Sequence, residues 1–86
     1  MPQLSRFFGI IISMFYDDHV PPHFHAFYGE YSAQISISDF SIIEGYLPSR
    51  VLGLVVEWAS EHKNELKENW ERVIAKKELL PISPLQ

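Results

Sequence analysis

The four residues Tyr28-Gly29-Glu30-Tyr31 constrain the fold of this chain more than any others. Glycine first in a two-residue connection between β-branched and aromatic stretches is the signature of a type II′ hairpin, since glycine takes positive φ without a Cβ clash. Such a turn sets the register: Tyr28 pairs with Tyr31, Ala26 with Ala33 and Phe24 with Ile35, leaving His25 opposite Gln34 and His23 opposite Ser36. Side chains alternate along a strand, so the predicted strands His23 to Tyr28 and Tyr31 to Ser38 divide into two faces. Phe24, Ala26, Tyr28, Tyr31, Ala33, Ile35 and Ile37 share one. His23, His25, Phe27, Ser32, Gln34, Ser36 and Ser38 share the other. Each strand yields the same partition independently.

The rest follows from periodicity. Phe7 to Tyr16 reads as one strand, apolar on both faces and therefore central or covered on both sides. It places Phe8, Ile10, Ile12, Met14 and Tyr16 on one face and Phe7, Ile11, Ser13 and Phe15 on the other. If this strand pairs beside the next, Phe7, Ile11, Phe15 and Phe27 fall on the histidine side, as a pocket wall, a partner surface or a face covered by the tail. A loop, Asp17 to Pro22, follows; its two prolines stiffen the entry to the next strand and leave a cis bond open. Ile42 to Gly45 is a short strand. Beyond Pro48, a residue tolerated in the first helical turn, Val51, Val55, Trp58, Ala59, His62, Leu66, Trp70 and Val73 recur at helical spacing. These predict one long helix, roughly Pro48 to Lys77, with its apolar stripe on the hairpin's apolar face. His62 on that stripe reads as a packed histidine, and Glu57, Glu61, Glu65, Glu68 and Glu71 as a solvated face, with Glu68 and Arg72 one helical turn apart. Leu79 to Gln86 is an extended tail. The expected fold is α+β, a small antiparallel sheet of three to four strands (β-β-β-β-α) against one long C-terminal helix, as a single domain over 1–86.

A chain of 86 residues has a thin core, and this one carries six Phe, four Tyr and two Trp. By size scaling it hides about 60–65% of its unfolded surface, so some rings are expected to bury against a partner, in a homo- or hetero-oligomer. Without cysteine, no disulfide or thiolate metal site holds it together. Eleven acidic residues outnumber seven basic ones, giving a formal charge of −4 and removing the general argument for nucleic acid. Phe7 to Ile12 is too short to span a bilayer, and no cleavage signal follows it. The cytoplasm is the expected compartment.

The chemistry concentrates in Asp17-Asp18-His19-Val20-Pro21-Pro22-His23-Phe24-His25, which holds three of the four histidines in nine residues. On a strand, His23 and His25 lie on one side with Cα atoms about 6.5–7 Å apart, and they are expected to project side by side away from the helix. Imidazole is the commonest metal ligand and the side chain that titrates nearest neutrality. Two readings follow. His23 and His25, completed from the preceding loop by His19, Asp17 or Asp18, form a candidate site for zinc or another divalent metal, with His19, His23, His25 and Asp17 as the preferred set. Alternatively His23 and His25, with His19 beside them, are candidate catalytic acid–base groups, with Arg6 or Arg50 contacting an anion. The bland alternative is a polar sheet face in which the histidines hydrogen-bond Gln34 and Ser36. His23-x-His25 followed by Glu30 also mimics the metal motif of cupin barrels, but a chain that spends its last third on a helix lacks the eight strands.

Arg6-Phe7-Phe8-Gly9-Ile10, Asp18-His19-x-Pro21-Pro22-His23-Phe24-His25-Ala26 and Tyr28-Gly29 resemble the bacterial domain of unknown function 4160 family. Glu44-Gly45-x-Leu47-Pro48, Glu57-Trp58-Ala59, Glu68-Asn69-Trp70-Glu71 and Ile82-x-Pro84-Leu85 extend the likeness over nearly the whole chain. The resemblance implies one half of a toxin–antitoxin-like two-gene module whose partner belongs to the domain of unknown function 2442 family. It supplies no catalytic residues. Two functions are thereby expected: an RNA-cleaving toxin-like enzyme acting through the histidines, or a non-catalytic protein-binding module with a structural metal there.

Overall fold

A computed structural model describes residues 3–86. Five strands and two helices follow one another along the chain: β1 (Gln3–Phe7), β2 (Ile10–Ser13), β3 (His23–Tyr28), β4 (Tyr31–Ser36), β5 (Ile42–Tyr46), α1 (Ser49–Glu61) and α2 (Lys63–Ile74). The strands form one antiparallel sheet in sequence order, β1-β2-β3-β4-β5. The central hairpin has the expected register, from Tyr28 opposite Tyr31 to His23 opposite Ser36. Gly29 turns it with φ 57°.

The α+β architecture agrees with the sequence, and two details differ. The stretch read as one strand from Phe7 to Tyr16 is a hairpin folding back at Phe8-Gly9, so the sheet gains a fifth strand. Phe8 and Gly9 both have positive φ, 50° and 80°. Asn or Gly usually marks the first of these positions, and a bulky ring there disguises the turn. Phe7 consequently faces the core, 5.4 Å from the Trp58 ring, instead of the histidine side. Ile10, Ile12 and Met14 are buried as expected, while Ile11 and Phe15 are half-buried on the opposite face.

The long helix is broken at His62, whose φ of −128° leaves the helical region. The apolar spacing runs through the break uninterrupted, so periodicity cannot see it. α1 sets Val51, Val55, Trp58 and Ala59 on the sheet's apolar face, with Trp58 6.0 Å from the Phe24 ring. α2 then runs against the end of the sheet where β2 stops and β3 begins. Lys63 Nζ donates to Ser38 O beyond β4, and Lys76 Nζ donates to Tyr16 O beyond β2. The Tyr16 hydroxyl returns a bond to Lys77 O, 2.9 Å away. Lys76 (φ 60°) closes α2: its N–H reaches Val73 O while that of Lys77 reaches Arg72 O, the paired bonds of a Schellman end.

The tail is bound on both sides. Ile82 N–H donates to Leu4 O of β1, and Trp58 Nε1 donates to Ser83 O. Asn69, 1% exposed, holds Leu80 with both amide atoms: Nδ2 donates to its carbonyl at 3.0 Å and Oδ1 accepts its N–H at 2.8 Å. An Asn69→Ala change takes both side-chain partners from these part-buried bonds to Leu80. It is expected to cost about 1–3 kcal/mol and to raise amide exchange at Leu80 and Ile82 before the sheet opens. Exchange in which tail and sheet deprotect together would contradict this.

Candidate functional site

β3 presents His23 and His25 on the face away from α1, and the turn after β2 brings a carboxylate to both. Asp18 N–H bonds to Phe15 O, and Asp18 Oδ2 accepts the Phe15 N–H at 2.9 Å. The other oxygen, Oδ1, lies 3.0 Å from His25 Nε2 and 3.5 Å from His23 Nε2. One nitrogen or oxygen from each of Asp18, His23 and His25 falls within 4.8 Å of the others. The tie between Lys76, Lys77 and Tyr16 holds this turn against the end of α2.

The imidazoles differ in surroundings. His23 Nδ1 is 2.8 Å from Pro21 O. A carbonyl only accepts, so Nδ1 carries the proton and Nε2 of the neutral ring presents a lone pair to Asp18. His23 is 5% exposed and lies under the Trp70 ring of α2, with centroids 5.3 Å apart. The expected outward projection therefore holds for His25 and fails for His23. The break at His62 is the reason, since a straight helix over α1 would not carry Trp70 around the sheet end. His25 stays half-buried, with Phe15 edge-on at 4.7 Å and Phe27 stacked at 6.2 Å. The two imidazole centroids are 5.2 Å apart. Neither histidine bonds to Gln34 or Ser36, the partners of the purely structural reading, among the described residues.

A cavity of about 320 Å³ opens onto the site and is lined by Asp17, Asp18, His19, His23, Gln34 and Ile43 among others. No lysine or arginine lines it among the described residues. Ile43 reaches it through a β-bulge, the extra residue in β5 where the register slips between Gln34–Glu44 and Ile35–Ile42. Gln34 and His25 also line a smaller hollow of about 80 Å³ beside Glu44.

Of the sequence candidates, His23 and His25 meet. His19 and Asp17 are exposed at the cavity wall, outside the three-residue group. The carboxylate at the centre is Asp18, not Asp17, and no sequence signal separates two adjacent aspartates. Arg6 is exposed on the histidine face but two strands away, paired with Ile11, which pairs with Phe27. Arg50 belongs to α1 and lines a separate hollow with Phe8, Tyr28 and Leu54. Sequence reasoning missed Trp70, the aromatic wall over His23, while Phe15 stands beside His25 on the face the sequence assigned it. Trp70 was legible only as a core residue, because nothing in the helical spacing shows that α2 changes direction.

Among known proteins, the model of a family described as "Domain of unknown function (DUF4160)" matches residues 9–71. No curated protein and no solved structure matches.

Proposed function

The chain belongs to the DUF4160 family, and on that premise we propose that it is one component of a toxin–antitoxin-like two-gene module and cleaves RNA at the Asp18–His23–His25 site. The observation that carries this reading is the pair of imidazoles 5.2 Å apart with a single carboxylate oxygen facing both. An imidazole oriented by a carboxylate beside a second imidazole is the equipment of general acid–base catalysis. His25, the more exposed ring, takes the proton of a ribose 2′-hydroxyl as its oxygen attacks phosphorus. The other imidazole, protonated, gives its proton to the departing 5′ oxygen. The products are a 2′,3′-cyclic phosphate and a free 5′-hydroxyl. Asp18 keeps His25 in one orientation throughout. The expected role of Arg6 or Arg50 as the phosphate contact finds no support in their positions, and the wall of the cavity is acidic.

Untagged protein incubated with structured and single-stranded RNA is expected to release fragments with cyclic-phosphate ends. A His25→Ala variant is expected to lose about 10²–10⁴-fold in rate, the range typical of removing one acid–base group. Intact RNA under all metal conditions, or equal cleavage by wild type and His25→Ala, defeats the reading.

A second reading is favoured by the open sheet face. Phe15 and Phe27 are half-buried there, while Ile43 and Tyr46 are 43% and 61% exposed at its β5 edge. This is the composition of a surface that meets another protein, and the partner we propose for it is the one the family resemblance implies, a neighbouring gene product of the domain of unknown function 2442 family. In that case Tyr46→Glu abolishes co-purification with the neighbour and leaves the melting temperature unchanged.

A further inference from the structure

We infer that Asp18, His23 and His25 bind a divalent transition-metal cation through Asp18 Oδ1 and the two Nε2 atoms, a state of the site distinct from the metal-free acid–base one, since nitrogens held on a cation transfer no protons; it rests on the RNA reading only for its substrate class. With Nδ1–H of His23 committed to Pro21 O, its Nε2 lone pair points at a carboxylate oxygen 3.5 Å away. That separation exceeds the 2.7–3.2 Å of an N–H···O bond, so a proton does not bridge the pair well. His25 Nε2 reaches the same oxygen at 3.0 Å, within that range, so Asp18 Oδ1 accepts from His25 while the His23 Nε2 lone pair faces it unbridged. The side chains of Asp18, His23 and His25 are 9%, 6% and 16% exposed there. A lone pair and a carboxylate oxygen so placed repel in a low-dielectric setting unless a positive centre lies between them.

The surroundings suit a metal. A backbone carbonyl on Nδ1 fixes the tautomer that frees Nε2, as at many metal-bound histidines. The Phe15 N–H on Oδ2 likewise aims Oδ1. His25 Nδ1 makes no hydrogen bond among the described residues, and β2 places opposite it Ser13, whose buried hydroxyl also has no partner. Ligand atoms on a tetrahedral zinc ion sit about 3.3 Å apart, so contacts of 3.0 and 3.5 Å are near that spacing. Two nitrogens and one oxygen favour zinc, iron(II) or their first-row neighbours over calcium and magnesium, which take oxygen. Three protein ligands leave a coordination position toward the cavity. The cation also supplies the positive charge that the acidic cavity wall lacks for a phosphodiester.

The test is calorimetric titration of zinc chloride into untagged, chelator-treated protein, with no RNA present. One ion per chain is expected, with affinity lowered at least ~100-fold in His25→Ala and Asp18→Asn, since even losing an outer-shell partner costs 10–100-fold. His19→Ala is expected to bind as wild type does. In the wild-type protein, whatever the variants' stability, zinc is expected to shift the Nε2 resonances of His23 and His25 and leave those of His62 unchanged. Absence of binding, binding that survives both variants, or equal loss in His19→Ala overturns the inference. Zinc binding by a protein inert toward RNA upholds the metal site and sinks only the RNA reading.

Discussion

Replacing Gly45 by alanine is expected to destabilise the protein by about 3–5 kcal/mol, although it adds one carbon to an exposed edge strand. A Cβ at this position would lie 2.3 Å from Ser32 O and 2.9 Å from Ala33 Cα. Both are backbone atoms of β4, so no side chain can swing aside. The φ of 92° adds strain for any residue bearing a Cβ. The only relief is to pull β5 off β4, which undoes the bulge that turns Ile43 into the cavity. Urea unfolding monitored at the tryptophans measures the loss. A fall of under about 1 kcal/mol would show that the edge yields without strain. In the same variant, the chemical environment of His25 is expected to change through Gln34 and Glu44, which share its smaller hollow.

The other large effect is expected at Trp58. Its indole is fully buried and touches Phe7 of β1, Phe24 of β3 and His62 at the helix break, while its N–H holds Ser83 of the tail. Large-to-small replacement of a buried tryptophan costs about 3–5 kcal/mol. A domain of this length is stable by about 4–13 kcal/mol, so Trp58→Ala removes much of the total. The expected result is a protein largely unfolded at 37 °C, seen as loss of near-ultraviolet circular dichroism. Trp58→Phe is expected to keep the fold, because the ring still spans Phe7 and Phe24 while the Ser83 bond is lost. An alanine variant melting within a few degrees of wild type would mean that Trp58 is not the centre of the core.

The central hairpin was readable because two rules act at once. Gly29 fixes a turn geometry, and alternation in both strands fixes which side is buried, so Phe24 and Ile35 inside with His25 and Gln34 outside left one consistent register. Phe8-Gly9 defeated the same rules, since a phenylalanine, 61% exposed and in the left-handed region, gives no turn signal. The break at His62 was hidden for a different reason. No glycine or proline marks it, and the spacing from Trp58 through Leu66 to Trp70 fits a straight helix as well as a bent one. Its cause is tertiary: α1 packs on the sheet's face and α2 on its end. At the site, strand period placed His23 and His25 together, but the partner from the loop depended on a turn closed by Phe15 and Asp18. Period and propensity do not reach across such a turn. The absence of a helix long and apolar enough to cross a membrane, among the described residues, agrees with the shortness of the Phe7 to Ile12 run.

The bond from Ile82 to Leu4 joins the last segment of this chain to its first strand, and Ser83 caps the central indole. Detaching residues 79–86 therefore strips β1 of its outer neighbour and, with Ile82 and Leu85, takes one wall from the core in the same step. The sheet edge and the helix layer are clamped by a segment that belongs to neither.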